Sequence, residues 1–271
     1  MSTNRIDARF TVLKKSGQKA FIAYFSAGDP NLEATVRLVP ALAEAGVDVI
    51  ELGIPFSDPM ADGTANQAAA ERALLAGTTV AGVLDAVRRI RAGGCQVPIL
   101  FYSYLNPIDS YGIARFAADA VAAGADGILP LDLPPDEDPA LIATLRAAGL
   151  HTVCLAAPTT TPERKRFLAR ESRGFLYYVC RLGVTGERAE LPPDLGEQVA
   201  ALKAVARAPV CIGFGISTPE QAAAAAAPGD GVIVGSHLVR LIADHGSDPD
   251  LVGIVARRAR VLADAVHAVR T

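Results

Sequence analysis

One layout recurs along this chain: the end of an alanine-rich amphipathic stretch, a glycine, then a short apolar run. It stands at Ala45-Gly46-Val47-Asp48-Val49-Ile50, Ala123-Gly124-Ala125-Asp126-Gly127-Ile128, Ala148-Gly149-Leu150-His151-Thr152-Val153 and Pro228-Gly229-Asp230-Gly231-Val232-Ile233. Glycine just past a helix accepts the left-handed backbone that closes it, and an unbroken apolar run is a strand buried on both faces. Extending the pattern predicts eight strands: Phe21–Ser26, Val49–Ile54, Ile99–Tyr102, Gly127–Leu129, Thr152–Ala156, Phe175–Val179, Val210–Gly213 and Val232–Val234. Helical stretches separate them. Two open with legible caps, Thr161-Pro162-Glu163 and Thr218-Pro219-Glu220-Gln221, the second a capping box.

Strict alternation of strand and helix calls for a parallel sheet, and eight repeats favour an α/β fold closed as a (β/α)8 TIM barrel. The 271 residues match the roughly 250 that one barrel needs, and no linker divides them, so residues 1–271 are expected to form a single domain. Ile6, Phe10 and Leu13 share one face of an extra N-terminal helix, placed to cover the barrel's bottom.

Composition narrows the function. Hydrophobic residues make up 51% of the chain, aromatics only 6%, so Ala, Val, Leu and Ile must fill most of the core. A net charge of −3 counts against nucleic acid or an anionic membrane surface as the main partner. No apolar run approaches the about 18 residues of a transmembrane helix. Arg5, Asp7 and Arg9 stand where a signal peptide needs an apolar stretch, so a cytoplasmic location is expected. The four cysteines lack CxxC spacing and read as buried free thiols; the four histidines are scattered, and no metal site is expected.

Glu51 interrupts the apolar run of the second strand, and Gly53 leaves space above it. A carboxylate at the top of a barrel interior has a raised proton affinity, suited to proton transfer; a structural acid is the plainer alternative. Asp62 lies in the turn-rich loop Phe56-Ser57-Asp58-Pro59-Met60-Ala61-Asp62-Gly63, where Asp before Gly is often only a turn residue. Its position after a catalytic-face strand singles it out.

Gly213-Phe214-Gly215-Ile216-Ser217 follows the seventh strand and Gly235-Ser236 the eighth, the places where many barrels bind phosphate through backbone N–H groups. Two connections are long: Pro55 to about Asn66, and Arg181 to about Asp194. The second opens with Arg181-Leu182-Gly183-Val184-Thr185-Gly186, a candidate lid. No lysine ends a strand, which disfavours a Schiff-base mechanism.

Assembled, these residues resemble the tryptophan synthase α-subunit family over nearly the whole chain. The strongest match runs from Glu51-Leu52-Gly53-Ile54-Pro55-Phe56-Ser57-Asp58-Pro59 to Ala61-Asp62-Gly63. Gly28-Asp29-Pro30, Asn106-Pro107, Asp132-Leu133-Pro134, Arg181 with Gly183-Val184-Thr185-Gly186, and the two glycine turns support it. The resemblance implies a lyase that splits indole-3-glycerol phosphate into indole and glyceraldehyde 3-phosphate in tryptophan biosynthesis. Glu51 would shuttle protons and Asp62 would hold the indole N–H. Tyr177, Thr185 and Tyr24 would contact substrate. Gly186, Gly213, Gly215, Gly235 and Ser236 would hold its phosphate. It also implies an α2β2 complex, with PLP only in the β subunit and no cofactor on this chain. Pro55, Phe56 and Asp58 would face that partner, Phe56 as an exposed ring. Two departures stand out: Thr64-Ala65-Asn66-Gln67 where the family often has Pro-x-Ile-Gln, and Cys180 where serine is common. A stand-alone indole-releasing lyase, a weakly catalytic regulatory partner, and another phosphate-binding barrel are the competing readings.

Overall fold

The computed structural model describes residues 4–180, 191–213 and 215–270. Its strands are β1 (Ala20–Ser26), β2 (Val49–Gly53), β3 (Ile99–Ser103), β4 (Gly127–Pro130), β5 (His151–Thr152), β6 (Cys154–Ala156), β7 (Leu176–Val179), β8 (Val210–Gly213) and β9 (Gly231–Val234). All pair in parallel, in the order β5-β4-β3-β2-β1-β9-β8-β7-β6. The two ends of that order are halves of one barrel strand separated by Val153. The expected continuous run Thr152–Ala156 is therefore broken, and the break has a local cause. Val153 N–H still donates to Ile128 of β4, whereas Cys154 N–H turns to Ser172 Oγ at 2.9 Å. With β5 on β4 and β6 on β7, the (β/α)8 barrel closes.

The apolar strand residues are almost all buried, with Phe21, Phe25, Phe101 and Phe175 among the largest fully enclosed side chains. Each such side chain contributes about 1.5–3 kcal/mol relative to exposure. The N-terminal helix Arg5–Ser16 lies against the amino-terminal ends of the strands through Ile6, Phe10 and Leu13, with Phe10 and Phe175 ring centroids 6.1 Å apart.

The recurring aspartates have one job. Asp48 accepts the N–H of Phe21, Asp126 that of Ile99, and Asp230 that of Val210, each capping the start of the preceding neighbour strand. Basic side chains meet them: Arg9 and His267 at Asp48, Arg5 and Arg91 at Asp126, Lys203 at Asp230. The third repeat carries His151 instead, and it meets Asp7 of the N-terminal helix at 2.7 Å. The barrel's bottom is thus fastened by polar contacts, which leaves the opposite face for chemistry.

Cys95, Cys154, Cys180 and Cys211 are free thiols, the last three buried. Among the described residues, no helix is long and apolar enough to cross a membrane.

Candidate active site

Glu51 sits mid-strand on β2, in register with Tyr24 of β1, and is 1% exposed. One of its carboxyl oxygens, Oε1, has no hydrogen-bond partner. Burial, and then the nearby Asp62 charge, push its pKa up to about 8. A carboxyl so placed keeps its proton at neutral pH, a property that suits proton transfer. The space expected above Gly53 is taken by Tyr24: a Cβ on Gly53 would lie 2.9 Å from the Tyr24 hydroxyl.

Asp62 ends the loop after β2, one residue before Gly63, the N-cap of helix Thr64–Leu75. It is 3% exposed, so it is no surface turn residue. Tyr102 donates to its Oδ1 at 2.7 Å, Asn66 Nδ2 to the same oxygen at 3.2 Å, and Tyr104 to Oδ2 at 2.9 Å. Burial raises its pKa, and these three donors pull in the other direction. Tyr104 also accepts the Ala61 N–H at 2.9 Å, and Gln67 Nε2 donates to the Asp62 carbonyl at 2.9 Å, so the loop is tied at both sides of the acid. Arg72, further along the same helix, makes two bonds to Asp29 at 2.9 and 2.7 Å, anchoring the helix to the loop after β1.

Four phenols therefore surround the acids. Tyr24 and Tyr102 meet edge-on with centroids 4.7 Å apart, and burial together with the carboxylates holds the pKa of Tyr24, Tyr102 and Tyr177 well above the ordinary value. The sequence points to Tyr24 and Tyr177 but not to Tyr102, Tyr104 or Asn66 as neighbours of the acids. Tyr102 and Tyr104 flank the end of β3 two residues apart, and that spacing at a catalytic-face strand end was the available signal.

The glycine turns have an internal explanation alongside any ligand. A Cβ on Gly213 would come within 2.4 Å of the Tyr177 ring, and one on Gly235 within 3.0 Å of Tyr24. Gly235, just after β9, is the N-cap of helix Ser236–Asp244 and supplies no side-chain cap. Across the turn after β8, Ser217 and Thr218 give their N–H groups to Gln221 Oε1, completing the expected capping box. Gly215 lies in that same turn. Arg181, Gly183, Thr185, Gly186 and Phe214 lie outside the described residues.

The loop's outer side differs from expectation. Pro55 is buried, and Phe56 is half-buried with its ring 5.4 Å from that of Tyr104, so Phe56 is not the exposed ring the sequence suggested. The burial follows from Tyr104, whose ring offers Phe56 a partner that sequence spacing does not reveal. Asp58 is exposed. The exposed apolar side chains here are Met60 and Leu75, 80% and 81% accessible, beside a groove of about 700 Å³ that Phe56 and Asp58 also line.

Residues 10–266 match the family "Tryptophan synthase alpha chain". The chain belongs to that family. A tryptophan synthase α chain from Geobacter sulfurreducens is 51% identical over 238 residues, covering 88% of this chain and 90% of that one. One from Halorhodospira halophila is 47% identical over 249 residues, 92% and 91% of the two chains. Among solved structures, the Legionella pneumophila tryptophan synthase α chain superposes with a TM-score of 0.88 at 38% identity, over 98% of both chains. A Mycobacterium tuberculosis tryptophan synthase structure gives 0.89 at 36% identity, over 98% and 99%. This chain's activity is that of the family: it is a lyase of tryptophan biosynthesis that cleaves indole-3-glycerol phosphate to indole and glyceraldehyde 3-phosphate.

Proposed function

We propose that Glu51 and Asp62 carry this cleavage between them. The carbon–carbon bond breaks when the indole ring carbon gains a proton and the adjacent hydroxyl loses one. The bonding pair then stays with the indole, and the hydroxyl carbon becomes the aldehyde. Glu51, protonated at neutral pH, gives the first proton and takes the second, ending as it began. Asp62, a carboxylate held by three donors, accepts the indole N–H and stabilises the positive charge that develops on the ring. Tyr24 and Tyr177 line the pocket around the indole. Thr185, on the long loop after β7, contacts the substrate as well.

The substrate's phosphate rests on backbone groups of Gly186, Gly213, Gly215 and Gly235 and on Ser236. The start of helix Ser236–Asp244, which has no side-chain cap, supports this reading, because the positive end of a helix dipole favours an anion. The reaction needs no cofactor on this chain. The protein works in the cytoplasm within an α2β2 complex, whose β subunit brings PLP and covers the loop of Pro55, Phe56 and Asp58.

The observation that carries the reading is the contrast between two buried acids on one strand-and-loop segment. Glu51 has an oxygen without a partner, whereas Asp62 is held by Tyr102, Tyr104 and Asn66. One is free to exchange a proton and the other is kept as an acceptor. Turnover of indole-3-glycerol phosphate by Glu51→Gln and Asp62→Asn tests it, with the fold checked by circular dichroism. Near-normal turnover by either variant removes that residue from the mechanism.

A further inference from the structure

An ionised carboxylate offers about four acceptor positions, two on each oxygen. In Asp62, Oδ1 receives the Tyr102 hydroxyl and the Asn66 amide, whereas Oδ2 receives only Tyr104. One position, on Oδ2, is left for the substrate. The amide's orientation follows from the same network. Turning Asn66 over would set its carbonyl oxygen against a carboxylate oxygen, acceptor to acceptor, so Nδ2 must face Asp62. Asn66 is 6% exposed and its own Oδ1 has no partner, a costly arrangement for a residue serving only packing. It is the third residue of helix Thr64–Leu75, four positions beyond Asp62, a spacing that brings the two side chains together. It is also a position where this sequence departs from the apolar residue common in the sequences it resembles.

We infer that Asn66 and Tyr102 are positioning residues for the cleavage: by filling Oδ1 they fix the Asp62 carboxylate with its one open acceptor position on Oδ2 aimed at the indole N–H. This rests on the reading of Asp62 as the residue that meets the indole. Besides Asn66, the groups facing Asp62 are Glu51 on β2, Tyr24 on β1, Tyr102 and Tyr104 at the end of β3, and Tyr177 on β7. None is a cation, so among the described residues it is hydrogen bonds that offset the cost of burying this charge.

The test is the pH profile of kcat and KM for indole-3-glycerol phosphate with Asn66→Leu and Tyr102→Phe, which keep shape and delete one donor each. A hydrogen bond to a charged group is worth about 1.5–3 kcal/mol, so each variant should lose roughly 10-fold or more in kcat. KM should stay within about 3-fold, because the phosphate grip is untouched. The acid limb should move to higher pH, since a carboxylate with fewer donors holds its proton longer. The double variant should move it further. A drop in kcat with an unmoved acid limb would mean a merely structural role and overturn the inference, as would unchanged kcat and limb. Should one variant melt below the assay temperature, the other decides. Full turnover by Asp62→Asn would instead sink the reading of Asp62 itself, so the two failures are distinguishable.

Discussion

Tyr104 binds Asp62 from two directions: its hydroxyl donates to Oδ2 at 2.9 Å and accepts the N–H of Ala61, the residue just before the acid. A single phenol thus fixes both the carboxylate and the backbone that carries it. Loop residues usually trade precision for adaptability, and here a residue at the end of β3 restores the precision.

Asp62→Asn and Glu51→Gln should each lower kcat by about 10²- to 10⁴-fold, the usual worth of one proton-transfer or charge-stabilising group. KM should change far less. Steady-state kinetics on folded protein check this, and a variant within 10-fold of wild type would count against its residue.

Tyr104→Phe removes a donor to Asp62 and the acceptor of Ala61 N–H together. A kcat loss larger than that of Tyr102→Phe is expected, accompanied by faster backbone hydrogen exchange around Ala61. Equal exchange in variant and wild type would show that the loop is held by other means.

Glu51 should impose a pH dependence of definite sign. Its pKa is raised from the ordinary 4.5 to about 8 in the folded chain. The stabilising effect of its bound proton is fully present below 4.5 and is lost as pH rises through about 8. Glutamine cannot ionise, so the Tm of Glu51→Gln relative to wild type should climb across that window. Because catalysis starts from the protonated acid, wild-type kcat should fall as pH passes about 8. A Tm difference flat between pH 5 and 9, measured by scanning calorimetry, would refute this assignment.

Ser236→Asp should raise KM for the substrate by placing a negative charge at the helix start that receives the phosphate, with kcat less affected. Gly235 is a poorer probe, because a side chain there also presses on Tyr24. A KM unchanged by Ser236→Asp would move the phosphate elsewhere.

Met60→Glu and Leu75→Glu, on the exposed rim of the groove, should weaken binding of a cognate β chain and leave the isolated chain's basal turnover intact. Calorimetric titration checks the first part. An unchanged Kd would place the interface on another surface.

The sequence alone determined the barrel, because burial on two faces and helix termination are local demands written as apolar runs and glycines. It also singled out Glu51, since a charge inside an apolar strand is costly enough to stand out wherever it occurs, whereas Asp62 in its turn-rich loop stood out only through the resemblance. Only the tertiary structure decided what surrounds them. Tyr102, Tyr104 and Asn66 come to Asp62 from a neighbouring strand end and the next helix, and no periodicity announces which phenol will reach which carboxylate. Asp48, Asp126 and Asp230 stood inside the recurring helix–Gly–strand layout, but their role as caps needed the neighbour strand's N–H to be in place. Phe56 read as exposed because sequence cannot tell an apolar loop residue facing solvent from one stacked on Tyr104. Patterns along the chain report what each residue avoids or prefers; partners far apart in sequence are set by register and closure, which only the folded barrel fixes.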